Sequence, residues 1–103
     1  DWQGAQQVKR LLPQTRAIFI LPPSREALLQ RLQLRGQDDS GIIETRMNLA
    51  LEEMSHYVES DYLVVNRDFD QALDELQSIV GSQRLLTVRQ QEVLSDMLQD
   101  LLN

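Results

Sequence analysis

Two short apolar runs, Ala17-Ile18-Phe19-Ile20-Leu21 and Tyr62-Leu63-Val64-Val65, are continuous rather than alternating. A strand with one face in water alternates apolar and polar side chains, whereas an uninterrupted run is the pattern of a strand covered on both faces of a parallel sheet. Parallel neighbours need a crossover connection, and the long segment between the two runs has room for helices. The pattern therefore sets the chain in the α/β class, with helices flanking both strands.

The segments around the runs have helical spacing and helical punctuation. Residues 4–12 read as a first helix stopped by Pro13, which lacks the amide needed to continue a helix interior. Pro22-Pro23 ends the first strand, Ser24 caps the next helix, and Glu26 in its first turn suits the helix dipole. That helix buries Leu28, Leu29 and Leu32 and ends at Gly36, a residue tolerant of the left-handed conformation. Its other side shows Arg31 and Arg35. The turn from Gln37 to Gly41 supplies an N-cap for a further helix, in which Ile43, Met47, Ala50, Leu51 and Met54 form a stripe and Arg46 is carried alongside. After the second run, Asp68 or Asp70 opens a helix with Leu73, Leu76, Ile79 and Val80 on one face, reaching residue 81. A final helix is expected over 87–102, its Val93, Leu94, Met97, Leu98, Leu101 and Leu102 packed on the domain itself or on another subunit.

Charge narrows the chemistry. The 103 residues carry a formal charge of -6, which argues against a broad nucleic-acid footprint, because such surfaces need a basic face. Among the ten basic residues only Lys9 is lysine. Guanidinium is the planar fork that grips phosphate oxygens in a bidentate way, so Arg31, Arg35 and Arg46 are candidates for handling phosphate. Each taken singly is also what a solvated helix face paired with nearby glutamates looks like.

No cysteine is present, so no disulfide or thiolate metal site can form, and a single histidine, His56, without a His/Asp cluster makes a dedicated transition-metal site unexpected. No run approaches the roughly 18–20 apolar residues of a membrane span, and the expected compartment is the cytoplasm. No G-x-x-x-x-G-K-[ST] phosphate loop occurs, so an enzyme using these arginines needs a further part to hold a nucleoside triphosphate. Two strands are few for a doubly covered sheet, and Asp1-Trp2-Gln3-Gly4 reads as the end of another strand. The chain is therefore expected to be a segment of a larger domain.

Several strings taken together resemble the C-terminal half of bacterial guanylate kinases. They are Asp1-Trp2-Gln3-Gly4-Ala5 with Gln7-Val8, Ile18-Phe19-Ile20-Leu21-Pro22-Pro23-Ser24, Arg31-Leu32 with Arg35-Gly36, Arg46-Met47, Glu53-Met54-Ser55-His56-Tyr57, Asp61-Tyr62 and Val65-Asn66. The resemblance implies a partial P-loop nucleoside monophosphate kinase fold, with core segments at 1–30 and 58–83, a lid at 31–57 and a C-terminal helix at 84–103. The P-loop and the GMP-binding lobe have no counterpart in these residues.

The activity implied is transfer of phosphate from ATP to GMP, with Mg²⁺ as cofactor and ATP and GMP as partners, and with neither nucleic acid nor membrane. The chain alone is then expected to be inactive. By the same resemblance Arg35 and Arg46 are the catalytic lid arginines at the transferring phosphates, Arg31 lies near the ATP phosphates or adenine, and Asn66 lies by the adenine. A turn or helix-cap asparagine is an equal reading of Asn66.

Asp1 matches an acid on the GMP and Mg²⁺ side, no metal being bound directly by this segment. His56 and Tyr57 belong to a string that joins lid to core. The pattern departs at Arg67, where the family usually has an acid. The C-terminal helix resembles those of proteobacterial members and suggests a homo-oligomer contact. Other readings remain open: a non-catalytic phosphopeptide-binding module, a P-loop kinase for a phosphorylated sugar, or a purely helical interaction domain, which would require the apolar runs not to be strands.

Overall fold

Both apolar runs are strands, and they pair parallel in one register from Ile18 opposite Tyr62 to Leu21 opposite Val65. The computed structural model describes residues 1–35 and 39–103. Gly36, Gln37 and Asp38 lie outside the described residues, and with them the expected Gly36 terminator; so does the side chain of Arg35. The described order is α1 (Trp2–Leu11), β1 (Ile18–Leu21), α2 (Arg25–Arg35), α3 (Ser40–Met54), a 3-10 helix (Ser55–Glu59), β2 (Tyr62–Val65), α4 (Phe69–Arg84), α5 (Thr87–Val93) and α6 (Ser95–Leu102). The purely helical reading is thereby excluded, and the α/β reading stands.

The chain divides into two units, Asp1–Asp68 and Phe69–Asn103. In the first, the two-stranded ladder is closed at both ends by groups outside it. At the start, the Ala17 carbonyl accepts from the Asp61 and Tyr62 amides at 2.9 and 3.1 Å. At the far end the Asn66 amide donates to the Leu21 carbonyl at 2.8 Å, so Asn66 is fixed where β2 stops.

Helix starts follow short polar side chains. The Ala27 amide donates to Ser24 Oγ at 3.0 Å, as expected of a cap for α2. Within the turn before α3 the cap is Asp39, whose Oδ1 accepts from the Ile42 amide at 3.0 Å. The first helix begins at Trp2 rather than at residue 4, because Asp1 is itself an N-cap. Trp2, Gln3 and Gly4 are therefore helical and do not continue a strand.

Coverage of the strands is partial. Val64 is 1% exposed, yet Ile20 is 51% and Leu63 48% exposed. Continuous apolar strands are stable where both faces are covered, and the described residues leave these two positions half open.

In the second unit, α4 continues through Gly81 to Arg84 instead of ending at the glycine. No glycine among the described residues has positive φ, so Gly81 serves as helix interior at a cost of roughly 0.5–1 kcal/mol relative to alanine. The expected single terminal helix is divided into α5 and α6 at Leu94, where φ is -102° and ψ 17°. The Leu94 amide still donates to Gln90 O, and its carbonyl accepts from the Leu98 amide, both at 2.8 Å. Ser95 and Asp96 follow directly, and side chains of this type compete for backbone hydrogen bonds and favour caps over helix interiors. Among the described residues no helix is long and apolar enough to cross a membrane.

Candidate functional site

Arg31, on α2, reaches across to the end of β2. Its Nη2 donates to the Asn66 main-chain carbonyl at 3.3 Å. Since the Asn66 amide extends the ladder and its carbonyl accepts the guanidinium, both main-chain polar groups of this residue are engaged. The carboxyl ends of parallel strands are where open α/β sheets place ligands, and an exposed guanidinium anchored there keeps other N–H groups for a bound anion.

Arg46 lies exposed on α3, the helix that packs on α2. Arg35 closes α2, and its side chain lies outside the described residues. Of the sequence candidates, the structure brings Arg31 and Asn66 into contact and assigns Arg46 to the neighbouring helix.

Asp1 is placed as a cap. Its Oδ1 accepts from the Gly4 amide at 2.7 Å, and a Cβ at Gly4 would approach that oxygen to 3.1 Å, which is why a residue without a side chain suits the position. One carboxylate oxygen is thus committed to the helix start. No group of three or more histidine, cysteine or acidic side chains is arranged to hold a metal among the described residues.

Two side chains that the sequence marked only as members of matching strings make contacts it did not specify. Asp61, just before β2, accepts from the Ala17 amide at 2.8 Å and pairs with Lys9 of α1 at 3.1 Å. The Ala17 amide and then the Lys9 ammonium hold its carboxyl below the ordinary value, against a smaller opposing effect of desolvation. Its partners are remote in sequence, so no local pattern announced it.

The second is His56, whose ring stacks on Trp2 with centroids 3.6 Å apart and planes 9° from parallel. Glu59 Oε2 lies 2.8 Å from its Nδ1 and Glu52 Oε1 3.4 Å from its Nε2. Glu52 and Glu59 sit at i-4 and i+3 from the histidine, and that spacing was a legible signal.

An open cavity of about 420 Å³ adjoins this stack, lined by Trp2, Gln6, Ile18, Ile20, Glu53 and His56 among others. Among the described residues, neither Arg31 nor Arg46 lines it.

A parallel strand pair flanked by helices defines an α/β protein. Residues 1–83 match the guanylate kinase family, and the chain belongs to that family. It is similar to the guanylate kinase of Saccharophagus degradans, with 54% identity over 103 residues, 100% of this chain and 50% of the relative. Against the guanylate kinases of Methylococcus capsulatus and Pseudomonas fluorescens the identities are 55% and 56% over 102 residues, 99% of this chain and 50% of each relative. The chain spans about half the length of the curated relatives it matches.

Proposed function

We propose that these residues supply the lid and part of the core of a cytoplasmic guanylate kinase, which transfers the terminal phosphate of ATP to GMP and yields ADP and GDP. Arg31 held at the Asn66 carbonyl is the observation that carries the reading, because it anchors one arginine of the set at a strand end where nucleotides bind in open α/β sheets. Phosphoryl transfer asks little covalent chemistry of a protein; rate comes from alignment and from stabilising charge on the transferring oxygens.

In this reading Arg31 and Asn66 attend the ATP side. Arg35 and Arg46 close on the transferring phosphate when α2 and α3 move as a lid, which also excludes water. Asp1 faces the GMP and Mg²⁺ side with the carboxylate oxygen not used by Gly4. Mg²⁺ bound with ATP would supply charge neutralisation at the phosphate oxygens.

The residues here include no phosphate loop, so the chain alone is expected to be inactive. The test joins the chain to the remaining half of the Pseudomonas fluorescens relative, which brings the phosphate loop and the GMP lobe, and measures transfer from ATP to GMP. Turnover close to that of the relative itself supports the reading. A folded fusion that binds phosphopeptide but shows no turnover would favour the non-catalytic module. A second copy of the chain is the proposed partner of the α5–α6 region, whose Val88, Val93, Met97, Leu101 and Leu102 are exposed.

A further inference from the structure

The stack of Trp2 on His56 lies where α1 meets the 3-10 helix that directly continues α3. Four contacts meet at this point. The indole covers one face of the imidazole, Glu59 and Glu52 face its two nitrogens, and Gln6 Nε2 donates to the other Glu59 oxygen. Trp2 and Gln6 are four apart on α1, so one face of that helix grips both the histidine and its carboxylate partner.

An imidazolium satisfies this setting better than a neutral ring. Both nitrogens then donate to a carboxylate, and the ring's charge lies over an aromatic face. A neutral imidazole keeps one N–H and turns a lone pair towards the remaining carboxylate. One of the two links is then lost, and the attraction between cation and indole goes with it.

We propose that His56 is a positioning residue: a proton-dependent latch, built with Trp2, Glu52 and Glu59, that fixes the foot of the Arg46-bearing helix to α1. The latch stands on the contacts alone, while its consequence for catalysis rests on the lid reading of α2 and α3.

The charged groups around the ring are Glu52 and Glu53 of α3, Glu59 of the 3-10 turn, and Asp1 and Lys9 at α1, with Lys9 committed to Asp61. Acids predominate. Desolvation pulls the His56 pKa down, but hydrogen bonds to Glu59 and Glu52, and their charges, outweigh it and raise the value above the ordinary 6.5. The latch is therefore complete below 6.5 and is released as pH rises through the raised value.

Trp2 is the only tryptophan of the 103 residues, so its emission reads the stack directly. A titration of the chain between about pH 5 and 9 should show emission quenched at the acid end and recovering with a midpoint above 6.5. Glu59→Gln should lower that midpoint by about half a unit or more, and His56→Phe, which keeps an aromatic stack, should abolish the transition. A transition that survives His56→Phe, or a midpoint that Glu59→Gln does not move, overturns the latch.

In the fusion with the relative's remaining half, His56→Phe should lower kcat about tenfold with KM for ATP unchanged, and should remove the alkaline fall in kcat. Wild-type kcat and pH profile in His56→Phe, beside a crippled Arg46→Ala, would overturn the positioning role and leave the lid reading intact. A fully active Arg46→Ala would sink the lid reading and the positioning role together, while the emission titration would still decide the latch.

Discussion

The Arg31 guanidinium meets the Asn66 carbonyl at 3.3 Å across 35 positions of sequence, tying the middle of α2 to the end of β2. The acceptor is main chain, so the identity of the side chain at 66 does not control the contact. Arg31→Ala in the fusion is expected to raise KM for ATP about tenfold, which is what one charge-assisted hydrogen bond is worth. Asn66→Ala should leave the Arg31 contact in place and change KM less. Steady-state kinetics on both variants checks the order; the reverse order would assign recognition to the Asn66 side chain instead.

Asp61 ties the loop before β2 to Ala17 and to α1, and its lowered carboxyl pKa makes the tie dependent on pH. Its stabilisation is present above the ordinary carboxylate value of 3.8 and is lost as pH falls through the lowered one. Asp61→Ala should destabilise by about 1–2 kcal/mol near neutrality, since the Ala17 amide loses its side-chain acceptor. Urea unfolding monitored at neutral and at acid pH should show the difference between parent and variant shrinking on acidification.

The strands and the arginines were legible for different reasons. Uninterrupted apolar runs announced parallel strands, and β1 and β2 pair that way. Ser24 announced a cap through its own hydroxyl. Gly81 misled, because glycine ends a helix where the chain turns left-handed, and here α4 simply continues through it. Leu94 gave no sign of an interruption, since the apolar stripe runs straight across it, and the cap-favouring Ser95 and Asp96 follow it. In the candidate site, residue type marked Arg31 as a phosphate candidate, and the resemblance gave Asn66 its place by the adenine. Their contact is tertiary, as are those of Asp61 and Trp2, and periodicity carries no information about partners so far apart in sequence.

The helix that carries Arg46 starts from Asp39, whose carboxylate accepts from the Ile42 amide at 3.0 Å. Asp39→Ala should fray the first turn of α3 and cost about 1 kcal/mol, whereas Asp39→Ser should recover most of it. Thermal melts of the pair, with amide exchange at Ile42 as a local probe, distinguish loss of the cap from loss of negative charge.

If α5 and α6 hold a second copy of the chain, removing them must change the assembly. A truncation after Arg84 leaves α4 whole, unlike one made at Ser82 inside the helix. Sedimentation of the full-length fusion and of the truncated form should show the truncated form one association step smaller. An identical oligomeric state in both would assign these apolar side chains to packing within the protein.

In the lid reading, catalysis rests on guanidinium groups of α2 and α3 acting on the phosphate in flight. The direct measurement is turnover of the fusion carrying Arg46→Ala or Arg35→Ala, at saturating ATP and GMP. The expected result is a fall in kcat of about 10³-fold or more with little movement in either KM, as for other arginines that stabilise a transferring phosphoryl group. A kcat within about twofold of the parent for both variants would contradict it, since an arginine bound to the transition state cannot be removed at so little cost.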